Sequence, residues 1–182
     1  MKRIWVDREK CVGCKTCELR CAIERDSVGK TLYSAVQEEP KPVPRVGVFG
    51  RTGAAFPLQC RHCEDAPCLA ACPSGAMQRD PETGLIFVQA DRCRGCWMCV
   101  MACPMGVIIP SAYKTAMKCD ACRHMEAPVC VSSCPTGALL FETESGYQKV
   151  LAEKRGRLAL FARGGEGGAS GVVGIEFVRE GH

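Results

Sequence analysis

The sequence predicts an α+β fold with little conventional core. Sixteen cysteines stand in 182 residues, a density that marks a fold organised by sulfur chemistry. Aromatic residues make up only 6% of the chain, so few large side chains are available to fill an interior. Short apolar runs of strand type lie immediately before or after the cysteine groups, bounded by Pro and Gly.

The elements follow in order. Arg3-Ile4-Trp5-Val6 reads as a strand leading into a first cysteine block, Cys11, Cys14, Cys17 and Cys21. Glu38–Pro44 carries three prolines and reads as an extended loop. Val46–Phe49 is a strand signal ahead of block two, Cys60, Cys63, Cys68 and Cys72. Leu85–Val88 follows the turn Asp80-Pro81-Glu82-Thr83-Gly84 and leads into block three, Cys93, Cys96, Cys99 and Cys103. Block four is Cys119, Cys122, Cys130 and Cys134. The x3 spacing that ends each block sets its last two cysteines one helical turn apart.

The repeat extends beyond the cysteines. Blocks two, three and four end in Cys-Pro-x-Gly: Pro73-Ser74-Gly75, Pro104-Met105-Gly106 and Pro135-Thr136-Gly137. Proline stops a helix and the glycine suits a tight turn. The apolar residues that follow, Ala76-Met77, Val107–Ile109 and Ala138–Phe141, suit a short strand or packed turn. Block one departs, with Ala22 after Cys21. Past the last block, Val150–Leu160 is basic with a partly helical pattern, Gly164–Gly171 reads as a flexible linker, and Val172–Val178 as a final strand.

Composition excludes several classes. A disulfide scaffold needs an oxidising compartment, and the N-terminal Met1-Lys2-Arg3-Ile4-Trp5-Val6-Asp7 shows neither an apolar leader nor a twin-arginine pattern. No run of about eighteen apolar residues encodes a membrane span. The expected location is the cytoplasm, where thiols stay reduced and free to ligate metals. The formal charge of +4 counts cysteines as neutral. A four-iron cube with four thiolates adds about −2, so four such sites bring the loaded protein to about −4. The basicity therefore gives no support for nucleic-acid binding.

Blocks one and three space their cysteines x2-x2-x3, the run that carries [4Fe–4S] clusters in bacterial ferredoxins, where the fourth cysteine serves the other cluster of a pair. Three closely spaced thiolates wrap three corners of a cube, and the fourth corner is met from elsewhere in the chain. Sixteen cysteines supply four such cubes with none left over. A zinc module is the competing structural reading, but zinc sites use two separated C-x2–4-C knuckles. No nucleophile elbow, phosphate loop or dinucleotide fingerprint occurs. The chain is expected to conduct electrons and to catalyse no reaction of its own.

The runs QCRHCEDAPCLAACPSGA, KCDACRHMEAPVCVSSCPTGAL and CVGCKTCELRCAIE resemble the four-cluster iron–sulfur electron-transfer subunits of molybdenum and tungsten oxidoreductases, formate dehydrogenases, hydrogenases and carbon monoxide dehydrogenases. Glu38–Val46 and Trp97–Pro104 are most similar to the small iron–sulfur proteins associated with carbon monoxide dehydrogenase. The resemblance implies two ferredoxin-like halves over residues 1–150, an inner half of about 57–110 inserted into an outer half of about 1–56 and 111–150, with 151–182 as an extension. It implies cluster A on Cys11, Cys14, Cys17 and Cys134, and cluster B on Cys21, Cys119, Cys122 and Cys130. Cluster C falls on Cys60, Cys63, Cys68 and Cys103, and cluster D on Cys72, Cys93, Cys96 and Cys99. The implied partners are a catalytic oxidoreductase subunit and, as a second redox partner, a hydrogenase or a flavin-dependent NAD(P)H-linked subunit.

Other residues stand near the blocks. His62 and His124 lie beside cysteines, but every corner already has a thiolate, so a surface or supporting role is expected. Trp5 and Trp97 are expected to shield clusters. Lys15, Arg61, Arg94, Lys118 and Arg123 flank cysteines, either as solvated charge or as an offset to anionic clusters. Val172–Val178 is expected either to dock a partner as an added strand or to fold back as a hairpin on Leu158-Ala159-Leu160-Phe161.

Overall fold

The computed structural model describes residues 1–50 and 54–164, with side chains described through 158. The linker and strand expected over Gly164–Val178 lie outside the described side chains, and from residue 165 outside the described backbone. The chain divides into two units, Met1–Tyr147 and Gln148–His182.

The first unit is α+β, built from short pieces. Its order is β1 (Lys2–Val6), α1 (Thr16–Arg25), α2 (Leu32–Gln37), β2 (Val46–Phe49), β3 (Phe56–Gln59), α3 (Pro67–Ala70), β4 (Met77–Arg79), β5 (Ile86–Val88), α4 (Met98–Ala102), β6 (Ile109–Pro110), β7 (Ala116–Met117), α5 (Val129–Ser132) and β8 (Leu139–Thr143). A last helix, α6 (Glu144–Gly164), starts at the end of this unit and continues into the second, taking in the helical pattern at Val150–Leu160. Among the described residues no helix is long and apolar enough to cross a membrane.

The strands form four antiparallel ribbons of two strands each. β4 follows block two and pairs with β5, which precedes block three. β6 follows block three and pairs with β7, which precedes block four. β1, ahead of block one, pairs with β8, after block four, with Ile4 opposite Phe141 and Val6 opposite Leu139. Trp5 Nε1 donates to the Glu142 carbonyl at 2.8 Å and its ring stacks on Tyr147 at 4.4 Å, clamping this ribbon. The two ends of the cysteine-bearing chain are thereby tied together.

Helix lengths follow the residue after each fourth cysteine. α3, α4 and α5 end before Cys72, Cys103 and Cys134, each followed by proline. A residue before proline is pushed out of the helical region, and Cys103 sits at φ −79, ψ 111. In block one Ala22 replaces the proline, and α1 runs on to Arg25 with both Cys17 and Cys21 inside it.

Two apolar clusters fill the unit. Ile4, Cys17, Cys21, Val46, Leu85, Cys119, Ala121, Cys130 and Leu139 make one, and Cys68, Met77, Ile86, Cys99, Ile108 and Ala116 the other. No aromatic side chain belongs to the buried core of the described residues, whereas seven of the sixteen cysteines do. Ile86, at 1% exposure, contributes on the order of 2–3 kcal/mol by its burial.

Candidate metal centres

Each block opens with Cys-x-x-Cys, and in all four the residue before the second cysteine is left-handed: Gly13 (φ 69), His62 (φ 48), Gly95 (φ 64) and Ala121 (φ 53). The reversal turns the backbone sharply between the first two cysteines of each block. Gly95 is further constrained, because a Cβ there would lie 2.4 Å from the Lys114 carbonyl oxygen. Lys15 and Trp97, also left-handed, then start α1 and α4.

Thiols of blocks one and four line one cavity, and charge acts between thiols of different blocks. One cavity is lined by Cys11, Cys14, Cys17 and Cys134, with Val48 and Pro57 among its apolar walls. Burial pushes the Cys17 thiol up to about 11, and negative charge at Cys134 and Cys14 adds to the effect. Burial likewise raises Cys21, which senses Cys122, and Cys130, which senses Cys119, Cys21, Cys122 and Cys17. Cys68 is raised by burial and senses Cys60, Cys103 and Cys63. Cys99 is raised by burial and senses Cys72 and Cys93. Cys119, pushed up to about 12 by burial, senses both Cys21 and Cys60.

Two fourth cysteines behave oppositely. Burial would raise Cys72, but the Met77 N–H, the Ser74 hydroxyl and the Ala76 and Ser74 amides outweigh it and hold the thiol below its ordinary value. At Cys134 burial is outweighed in the same way by the Thr136 hydroxyl and the Leu139, Ala138 and Thr136 amides. The Cys-Pro-x-Gly-Ala turn thus presents a ring of donors to one sulfur. Other backbone amides point at sulfur too: Arg45 N–H to Cys21 (3.3 Å), His62 N–H to Cys60 (3.4 Å), Ala116 N–H to Cys93 (3.3 Å) and Ala121 N–H to Cys119 (3.3 Å).

All sixteen cysteines are free thiols. Among the described residues no group of three or more His, Cys, Asp or Glu side chains is placed to hold a metal ion. Soft sulfur donors with apolar walls and N–H groups aimed at sulfur are the surroundings that iron–sulfur clusters take, so the residues present fit such a group. Exposure is uneven: Cys14 and Cys96 are open to solvent, whereas Cys21, Cys119, Cys122 and Cys130 are all buried.

The histidines separate. His124 is exposed and accepts from Arg123 Nε at 3.2 Å. His62 is 2% exposed, and its Nδ1 accepts the Ile86 N–H at 2.9 Å, so its place is interior and not at the surface. Burial, with help from the Lys118 charge, lowers it to about 3, so it stays neutral. Sequence reasoning missed a further group. Asp120 accepts from Arg25 Nη2 at 2.6 Å and lies 3.5 Å from Arg45 Nη1, tying the end of α1 to the block-four loop.

A family model described as a 4Fe-4S dicluster domain matches residues 52–144. The electron transport protein HydN of Escherichia coli (strain K12) is 38% identical over 96 residues, covering 53% of this chain and 52% of its own length. The iron-sulfur protein of Rhodospirillum rubrum is 36% identical over 96 residues, 53% of this chain and 49% of its own. The thiosulfate reductase electron transfer subunit PhsB of Salmonella typhi is 36% identical over 94 residues, 51% of this chain and 47% of its own. The chain spans about half the length of the curated relatives it matches.

Proposed function

The chain belongs to the 4Fe-4S dicluster domain family, and from that premise we propose that it passes single electrons through four [4Fe–4S] clusters, between the catalytic subunit of an oxidoreductase and a second redox partner. The relatives support the class: they carry the names electron transport protein and thiosulfate reductase electron transfer subunit. Carbon monoxide dehydrogenase, a tungsten or molybdenum enzyme, formate dehydrogenase and hydrogenase are the catalytic partners proposed, with a flavin-dependent NAD(P)H-linked subunit as the second.

One observation carries the reading. Cys11, Cys14 and Cys17 of block one line a single cavity with Cys134 of block four, and charge acts between blocks in the same sense at Cys17 with Cys134, Cys21 with Cys122, Cys68 with Cys103, and Cys99 with Cys72. This supports cluster A on Cys11, Cys14, Cys17 and Cys134, B on Cys21, Cys119, Cys122 and Cys130, C on Cys60, Cys63, Cys68 and Cys103, and D on Cys72, Cys93, Cys96 and Cys99. The β1–β8 closure around the inner ribbons supports the nested halves.

When bound, each cluster supplies a reversible one-electron couple. The protein's part is to hold the thiolates, keep water from the inner clusters and direct amide donors at sulfur. Cys17 packs in one apolar cluster with Cys21, Cys119 and Cys130, Cys60 packs against that cluster, and Cys68 and Cys99 share the other, which favours the order A, B, C, D. The exposure of Cys14 and Cys96 supports ends of that path at A and D, where partners would meet it.

Protein purified without oxygen is expected to contain about 16 iron and about 16 sulfide per chain. Stoichiometric zinc with negligible sulfide would instead make the chain a zinc-stabilised interaction module.

A further inference from the structure

Of the eight basic residues directly next to a cysteine in sequence, seven stay near the surface, Lys10, Arg20 and Arg92 among them. Lys15, Arg61 and Arg94 are exposed, and Arg123 is half-buried over the Phe87 ring. Lys118 is 3% exposed. Its Nζ donates to the Ile86 and Cys119 carbonyls, the latter at 2.8 Å. Ile86 belongs to the apolar cluster that contains Cys68 and Cys99, and Cys119 to the one that contains Cys17, Cys21 and Cys130. The ammonium therefore bridges the two halves of the core.

Lys118 has no carboxylate paired with it among the described residues. The adjacent Asp120 is engaged by Arg25 and Arg45. A buried cation is costly unless opposite charge lies close by, and two carbonyl oxygens supply none. Its positive charge already acts on thiols to either side, lowering Cys68 and Cys119 against the larger raising effect of burial.

We propose that Lys118 is the counter-charge shared by clusters B and C, a tuning residue that favours the reduced form of both. The inference rests on the four-cluster reading above. An oxidised cluster with its four thiolates carries about −2 and gains a further negative charge on reduction. A fixed cation between two of them offsets that charge and raises both potentials, while A and D, at the exposed ends, are left to solvent and surface charge. The middle of the path is thereby kept from becoming a barrier to the electron.

The test is a redox titration of anaerobically purified full-length protein, followed by electron paramagnetic resonance, comparing wild type with Lys118→Met, Lys118→Gln and Lys118→Arg. In the two neutral variants, two of the four midpoints are expected to move negative. The shift should change the reduced-to-oxidised ratio on the order of tenfold at a fixed potential, which for a one-electron couple is about 59 mV. The other two midpoints stay in place, and Lys118→Arg matches wild type. Neutral variants that lose two clusters while Lys118→Arg keeps all four would equally show that the charge is required. Unmoved midpoints, an equal shift of all four, or an Arg variant that behaves like Met would overturn the proposal. Iron and sulfide counts on the wild-type sample test the four-cluster reading separately.

Discussion

Arg25 Nη2 donates to Asp120 Oδ2 at 2.6 Å across 95 residues of chain, joining the helix that carries Cys17 and Cys21 to the loop that carries Cys119 and Cys122. Arg45 adds a second cation to the same oxygen, and its own N–H reaches Cys21 Sγ. Asp120 is thus the fastening between blocks one and four. Asp120→Asn leaves two guanidinium groups facing a neutral side chain. The variant is expected to lose roughly 3 kcal/mol, read as a lower unfolding midpoint of the loaded protein, with cluster B the first signal to fade. The combined Arg25→Met, Arg45→Met and Asp120→Leu change should cost less than Asp120→Asn alone, because it removes both unpaired charges too.

Two glycines with similar backbone angles should respond differently to alanine. Gly106 has φ 60 and nothing within 4 Å of an added Cβ, so Gly106→Ala pays only for the left-handed backbone, about 1 kcal/mol. Gly95 has φ 64 but faces the Lys114 carbonyl oxygen at 2.4 Å. Gly95→Ala must also displace backbone, and is expected to lose cluster D while Gly106→Ala retains all four. Iron content of the two purified variants distinguishes them.

The loop at Ser27–Gly29 is held by an acid. Glu38 accepts from the Ser27 hydroxyl at 2.7 Å and from the Val28 and Gly29 amides at 3.1 Å each. These bonds, the Ser27 hydroxyl foremost, lower its carboxyl below the ordinary 4.5. A depressed folded-state value means the support is fully present above the unfolded value and is lost as pH falls through the folded one. The protection of the Val28 and Gly29 amides, taken against the intrinsic exchange rate at each pH, should therefore hold down to about pH 4.5 and fall below it. In Glu38→Gln that protection should be low throughout. Equal protection in the two proteins near neutral pH would show that the carboxylate does not hold this loop.

Much of the site was legible because ligand spacing is a local property. The four cysteine blocks, the turn after each Cys-Pro and the strands at Val46–Phe49 and Leu85–Val88 follow from neighbours in sequence. Gly13 and Gly95 announce the left-handed residue of their loops, but His62 and Ala121 adopt it without a glycine to signal it. β3 was not legible, since Pro57 argues against a strand; in a ribbon of two strands both are edges, where proline is tolerated. α2 is only six residues long and leaves Leu32 and Val36 exposed, and it is fixed by the reciprocal Thr31–Ser34 cap. The burial of Lys118 and His62 depends on segments that meet only in the folded chain, which spacing does not reveal.

That each cluster draws its fourth ligand from another block is tested most directly by comparing Cys134→Ala with Cys11→Ala and Cys119→Ala. Cys134 lies 113 residues after Cys21 in the chain, yet shares a cavity with Cys11, Cys14 and Cys17. In anaerobic redox titrations followed by electron paramagnetic resonance, Cys134→Ala and Cys11→Ala are expected to remove or convert the same cluster signal, and Cys119→Ala a different one. A signal lost in common by Cys134→Ala and Cys119→Ala, with Cys11 and Cys21 governing another, would contradict the account.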